Sequence, residues 1–158
     1  MRLLPALLIL ATLSILIGCK AATPSPSPPP TPTPDLVVRL WGGVPGTPNL
    51  LSIFDEAGVV TDARVPDEEP KDLSADISAT PLSETSVLVE WSGFICESRP
   101  SLTVDRADDR LTLFLEHGPV PDSCAAAAAP YGVLLMVDPS IDLDEIEVAE
   151  SRPSLTES

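Results

Sequence analysis

The sequence is poor in the residues that most binding and catalytic chemistry uses. Its 158 residues hold one His, three Cys, two Trp, one Tyr and three Phe, and only nine Lys and Arg stand against 24 Asp and Glu. A net charge of −15 excludes gripping nucleic acid, because phosphate contacts need clustered cations. A single His excludes a blue-copper site, which takes two. There is no Cys-x-x-Cys clasp to make a zinc site of Cys96, His117 and Cys124, and no Gly-x-Ser-x-Gly elbow for a serine nucleophile. No apolar run reaches the ~18 residues that span a bilayer. What is present is not a disordered acidic tail. Hydrophobic residues make up 44% and the mean hydropathy is +0.21, so a core can form.

Residues 1–18 read as a secretory leader. Met1-Arg2 is a short positive start, and Leu3 to Ile17 is apolar apart from Pro5, Thr12 and Ser14. The run ends in Leu16-Ile17-Gly18-Cys19. This resembles the lipobox of bacterial lipoproteins, with Ile17 where Ala or Ser is commoner. The resemblance implies that the Cys19 sulfur takes a diacylglyceryl group, that the leader is cut before Cys19, and that the new amine is acylated. Two or more acyl chains hold a protein stably on a bilayer, whereas one does so marginally. The expected location is therefore a cell membrane or outer membrane, lipid-anchored and facing the extracytoplasmic side.

Residues 19–35 read as the lipidated Cys followed by a stalk. Ala21 to Pro34 is AATPSPSPPPTPTP, and Pro supplies no backbone donor and fixes φ, so this stretch joins no sheet or helix. Pro alternating with Ser and Thr favours an extended rod of about 3.1 Å per residue. A flexible linker would have the same function.

Residues 36–149 change texture, to a period of two. Val87, Val89 and Trp91 alternate with polar or smaller neighbours, as do Leu111, Leu113 and Leu115, and Tyr131, Val133, Leu135 and Val137. Shorter runs lie at Leu102–Val104 and Ile146–Val148. Leu36–Trp41, Leu50–Phe54 and Val59–Val65 complete the set, the last two as a hairpin around Asp55-Glu56-Ala57-Gly58. Arg106–Asp109 reads as a second hairpin turn, Pro66–Pro81 as an acidic loop, and Ala125–Ala129 as a loop. The expectation is an all-β domain, a small sandwich or barrel of seven to eight short strands, with 150–158 a disordered tail.

With Cys19 used for lipid, Cys96 and Cys124 form an even pair in an oxidising compartment and are expected to bridge. That closes a 29-residue loop, worth about 3.6 kcal/mol in the chain-entropy account. Trp91-Ser92-Gly93-Phe94-Ile95-Cys96 with Asp122-Ser123-Cys124 looks like domains common in bacterial lipoproteins that bring no known activity.

A Ser–His–Asp enzyme would have to use His117, which in Glu116-His117-Gly118-Pro119 reads as an exposed loop His. The acidic groups Asp67-Glu68-Glu69, Asp108-Asp109 and Asp142-x-Asp144-Glu145 lie in turns where carboxylates are solvated. The expectation is a non-enzyme with no cofactor and no metal: an interaction or structural module of the cell envelope. Its partners would be the membrane, through the anchor, and an envelope protein or glycan. The alternative is a binder of a small ligand, sugar or calcium, with Trp41 beside Gly42-Gly43 as the candidate ligand-binding residue. A hydrolase comes third. Trp91, in phase with Val87 and Val89, is assigned to the core.

Overall fold

Alternation of apolar and polar residues along a strand buries one face, so each strand needs a partner sheet. The computed structural model describes residues 31–41, 49–70, 76–107, 110–121, 124 and 127–152. These carry nine β-strands and no helix. They are β1 (Leu36–Arg39), β2 (Leu50–Asp55), β3 (Val60–Arg64), β4 (Ser78–Ser83), β5 (Ser86–Phe94), β6 (Ser101–Ala107), β7 (Arg110–Glu116), β8 (Ala128–Val137) and β9 (Ile146–Ser151). The stretch read as a leader, Cys19 and Lys20, and most of the Pro-rich stretch read as a stalk lie outside the described residues.

The strands form a β-sandwich. One sheet has five strands in the order β1-β2-β6-β7-β9, the other four in the order β3-β8-β5-β4. β2 with β6 and β7 with β9 are parallel, and the remaining neighbours are antiparallel. The inward residues of both sheets make the core. Leu51, Ile53, Leu102, Val104, Leu111, Leu113 and Leu115 come from the larger sheet, and Val87, Val89, Trp91, Tyr131, Val133 and Leu135 from the smaller. In register, Val87, Val89 and Trp91 stand opposite Leu135, Val133 and Tyr131, so the two longest strands put their large side chains on one face.

Three local expectations are corrected. First, β2 and β3 are not a hairpin: β2 pairs with β1 and β6, whereas β3 pairs with β8 in the other sheet. The turn between them is a crossing from one sheet to the other. Gly58 takes φ 67° there, which few other residues adopt, and the Asp55 carboxylate accepts the Val60 N–H at 2.7 Å. Second, the segment read as one long acidic loop, Pro66–Pro81, ends inside β4 (Ser78–Ser83). Its Thr80-Pro81 hides a strand because Pro is tolerated only where no neighbour needs its donor, and β4 is a sheet edge. Third, β8 begins at Ala128, within the alanine run. Pro130 fits inside it because β3 pairs only with Leu134–Val137, leaving one neighbour at Pro130. The strand count is therefore nine among the described residues.

The hairpin expected around Arg106–Asp109 joins β6 to β7, with Ala107 opposite Arg110. β9 runs to Ser151, past the expected domain end at Ala149. Its alternation continues too: Ile146, Val148 and Glu150 share a face, and Glu150 stands opposite Leu115 of β7. A carboxylate thus enters one end of the sandwich.

Candidate functional site

The ends of β5, β7 and β9 converge where that carboxylate enters. Just past β5 the chain turns, with the Glu97 N–H donating to Phe94 O at 2.9 Å. Cys96 in this turn is bonded to Cys124, with Cα atoms 6.0 Å apart, as the cysteine count predicts. The bridge ties the β5 end to the segment leading into β8. The Ser98 N–H and hydroxyl both donate to Pro119 O, each at 3.3 Å. The turn is therefore fixed on two sides.

Glu97 is buried, its side chain 1% exposed, and it faces His117, whose side chain is 5% exposed. His117 is not the exposed loop residue expected from its Gly-Pro neighbours. Leu111, Leu113 and Leu115 point inward, and one further step of the same alternation puts His117 on the inner face. Its Nδ1 lies 3.1 and 3.2 Å from the two Glu97 oxygens, and its Nε2 lies 3.4 Å from Glu150 Oε2. Arg152 completes the chain through Nε to Glu150 Oε1 at 2.7 Å.

Carboxylates only accept, so contacts from both ring nitrogens favour the doubly protonated imidazolium over the neutral ring. The hydrogen bond to Glu97 raises the His117 pKa above 6.5 against the opposing effect of burial. Burial pushes Glu150 upward, but its hydrogen bonds to Arg152 and His117 outweigh this and leave it below 4.5. Burial likewise raises the Tyr131 phenol above its ordinary value.

Two glycines make room for this cluster. The Gly118 N–H donates to Glu97 Oε1 at 2.8 Å, and a Cβ at Gly118 would overlap the backbone carbonyl of Ser98. A Cβ at Gly93 would overlap Glu97 Oε2 and lie 2.9 Å from Tyr131 Cε2. Tyr131 packs on Trp91, ring centres 5.9 Å apart, and donates its hydroxyl to Phe94 O at 3.1 Å. Arg99 takes φ 57°, a left-handed turn that leads the chain from this cluster into β6.

A cavity of about 180 Å³ opens beside the cluster. Ser92, Phe94, Val120 and Ala128 line it, with His117 and Arg152 on the polar side. The Ser92 hydroxyl is buried and has no hydrogen-bond partner among the described residues, so it makes no bond to His117. Ser92, His117 and Glu97 thus share a cavity without forming a relay: the ring nitrogen a serine would need is held by Glu150.

The other sequence candidates lie apart from this site. Trp41 is 41% exposed and gives its Nε1–H to Pro66 O at 3.2 Å, while Gly42-Gly43 lies outside the described residues. Trp91 is in the core at 1% exposure. Asp142 and Asp144 line a wide groove with Glu84 and Leu82, where Asp142 Oδ1 accepts the Asp144 N–H at 2.9 Å. Among the described residues, no group of three or more His, Cys, Asp and Glu side chains is placed to hold a metal ion.

Glu97 and Glu150 escape a reading by motif. Glu150 carries a signal nonetheless, a charge in phase with Ile146 and Val148. Glu97 carries none, because a turn rather than a period aims it. No family model matches the chain, and no curated protein or solved structure matches it.

Proposed function

We propose that the chain is a lipid-anchored module of the cell envelope, carried on a Pro-rich stalk, that acts by non-catalytic interaction. The observation that carries this reading is the Cys96–Cys124 bridge. Disulfides persist in oxidising, extracytoplasmic compartments. The bridge uses two of the three cysteines, so Cys19, at the end of the lipobox-like stretch, is the one left for lipid on this reading. An anchor of two or more acyl chains then suffices for stable membrane residence. The envelope side of a cell membrane or outer membrane is the location this implies.

The non-catalytic part is supported by the state of His117. A general base needs a free lone pair near its working pH. Both nitrogens of the only His in the chain are engaged by carboxylates. A second reading, a binder of a small ligand, is favoured by one observation: the unpartnered Ser92 hydroxyl on the wall of the 180 Å³ cavity. On this second reading the binder's site lies beside His117 rather than at Trp41.

The test is to express the full chain and a Cys19→Ala variant in a bacterium and partition each with detergent. The native chain should enter the detergent phase and the variant the aqueous phase. Both chains in the aqueous phase refute the lipid anchor. Turnover of esterase, protease or glycosidase substrates that disappears in His117→Ala refutes the non-catalytic role.

A further inference from the structure

Three separate segments meet on one imidazole ring. The turn after β5 supplies Glu97, the end of β7 supplies His117, and the end of β9 supplies Glu150 with Arg152. From β8, Tyr131 lies against Gly93 and Glu97, and Asp76 ahead of β4 acts on Arg152. Glu116, beside His117 in the chain, is exposed and on the opposite face.

The two ring nitrogens are not equivalent. Nδ1 reaches both oxygens of Glu97, a carboxylate that also takes the Gly118 N–H and is sealed from water. Nε2 makes one longer contact, 3.4 Å, to Glu150. Glu150 is 16% exposed, already holds Arg152 through its other oxygen, and can turn to solvent. When the ring loses a proton to water, the proton on Nδ1 is therefore the one retained, and the Nε2 lone pair faces the Glu150 carboxylate. Attraction becomes repulsion at that contact alone. What then holds the end of β9 is the His117 N–H donated to Ser151 O at 3.1 Å and the last pairs of the parallel β7–β9 ladder.

We propose that His117 is a proton-operated latch for the C-terminal end of β9. The imidazolium ties Glu150 to the turn holding the Cys96–Cys124 bridge and so closes the Arg152 side of the cavity. The neutral ring releases that end and opens the cavity. Pairing with Glu97 lifts the His117 titration above 6.5, so the latch is closed at lower pH and opens as pH rises through the raised value.

Because the chain has one His, its ring resonances are unambiguous. The ring shifts are followed by NMR from about pH 5 to about pH 9, together with hydrogen exchange of the His117 amide. Amides of β6 serve as the internal reference for the intrinsic pH dependence of exchange. The expected result is that protection of the His117 amide, relative to β6, falls through the ring titration by about tenfold for each unit of raised pKa. Glu150→Gln keeps the shape of the side chain and removes its charge. It should bring the ring titration closer to 6.5 and move the exchange transition with it. A flat protection ratio through the titration, a ring that titrates below 6.5, or an exchange transition unmoved in Glu150→Gln each overturns the latch.

Discussion

Gly118→Ala is the sharpest single perturbation of the cluster, because one methyl group meets backbone on one side and a charged hydrogen bond on the other. The added Cβ would overlap the Ser98 carbonyl oxygen, and the atoms behind it are the Ser98 and Arg99 carbonyl carbons. These are main-chain atoms in a turn pinned by the Cys96–Cys124 bridge and by two bonds from Ser98 to Pro119 O. The usual relief, rotation of a flexible neighbouring side chain, does not exist there. Overpacking of this kind costs about 1–3 kcal/mol. Any shift of Gly118 away from Ser98 also stretches its N–H from the 2.8 Å contact with Glu97. A hydrogen bond to a charged group is worth about 1.5–3 kcal/mol, and Glu97 has no water to replace it. The two effects together predict a loss of about 2.5–6 kcal/mol, a large share of the stability of a small domain. Gly58→Ala is the matched control. Nothing lies within 4 Å of a Cβ there, so only the positive φ of 67° is charged against it, about 1–2 kcal/mol. Urea unfolding of the non-reduced chain from residue 32 onward measures both variants with the same bridge in the unfolded state. A Gly118→Ala loss below about 1 kcal/mol, or one no larger than that of Gly58→Ala, would refute the close approach of the Ser98 turn.

Replacing Cys96 and Cys124 together by Ser should lower stability by about 2–4 kcal/mol, and mass spectrometry of the non-reduced chain should show no alkylatable thiol at either position. The pH dependence has a definite sign. His117 is raised in the folded chain, so its contribution is full below 6.5 and is lost as pH rises through its folded value. Glu150 is lowered, so its contribution is full above 4.5 and is lost as pH falls. Melting temperature should therefore peak between these two values in the native chain, and His117→Gln should flatten its alkaline side. With a net charge of −15, moderate salt should raise the melting temperature by screening repulsion between exposed carboxylates, and a fall would show that these groups are arranged as paired sites.

Much of this molecule is written in its period of two. The strands β5, β7 and β8 announce themselves through Val87-x-Val89-x-Trp91, Leu111-x-Leu113-x-Leu115 and Tyr131-x-Val133-x-Leu135-x-Val137, because a half-buried strand must place apolar residues at every second position. The bridge follows from counting cysteines, and the core position of Trp91 from its phase. Extending the same phase by one more period, two residues, locates His117 and Glu150 on inner faces, although a Gly-Pro sequence after His117 suggests a solvated turn. What the period does not carry is which strands become neighbours. Asp55-Glu56-Ala57-Gly58 has the composition of a hairpin turn, yet β2 and β3 part there into different sheets. That outcome is set by the pairing of β2 with β6 and of β3 with β8, between residues far apart in the chain. Nor does it carry the meeting of Glu97 with His117, 20 residues on, and of His117 with Glu150, 33 residues further. Local pattern decides which way a side chain faces. Only the packing of one sheet on the other decides what it faces, and in this protein that is how two carboxylates come to share one buried proton donor.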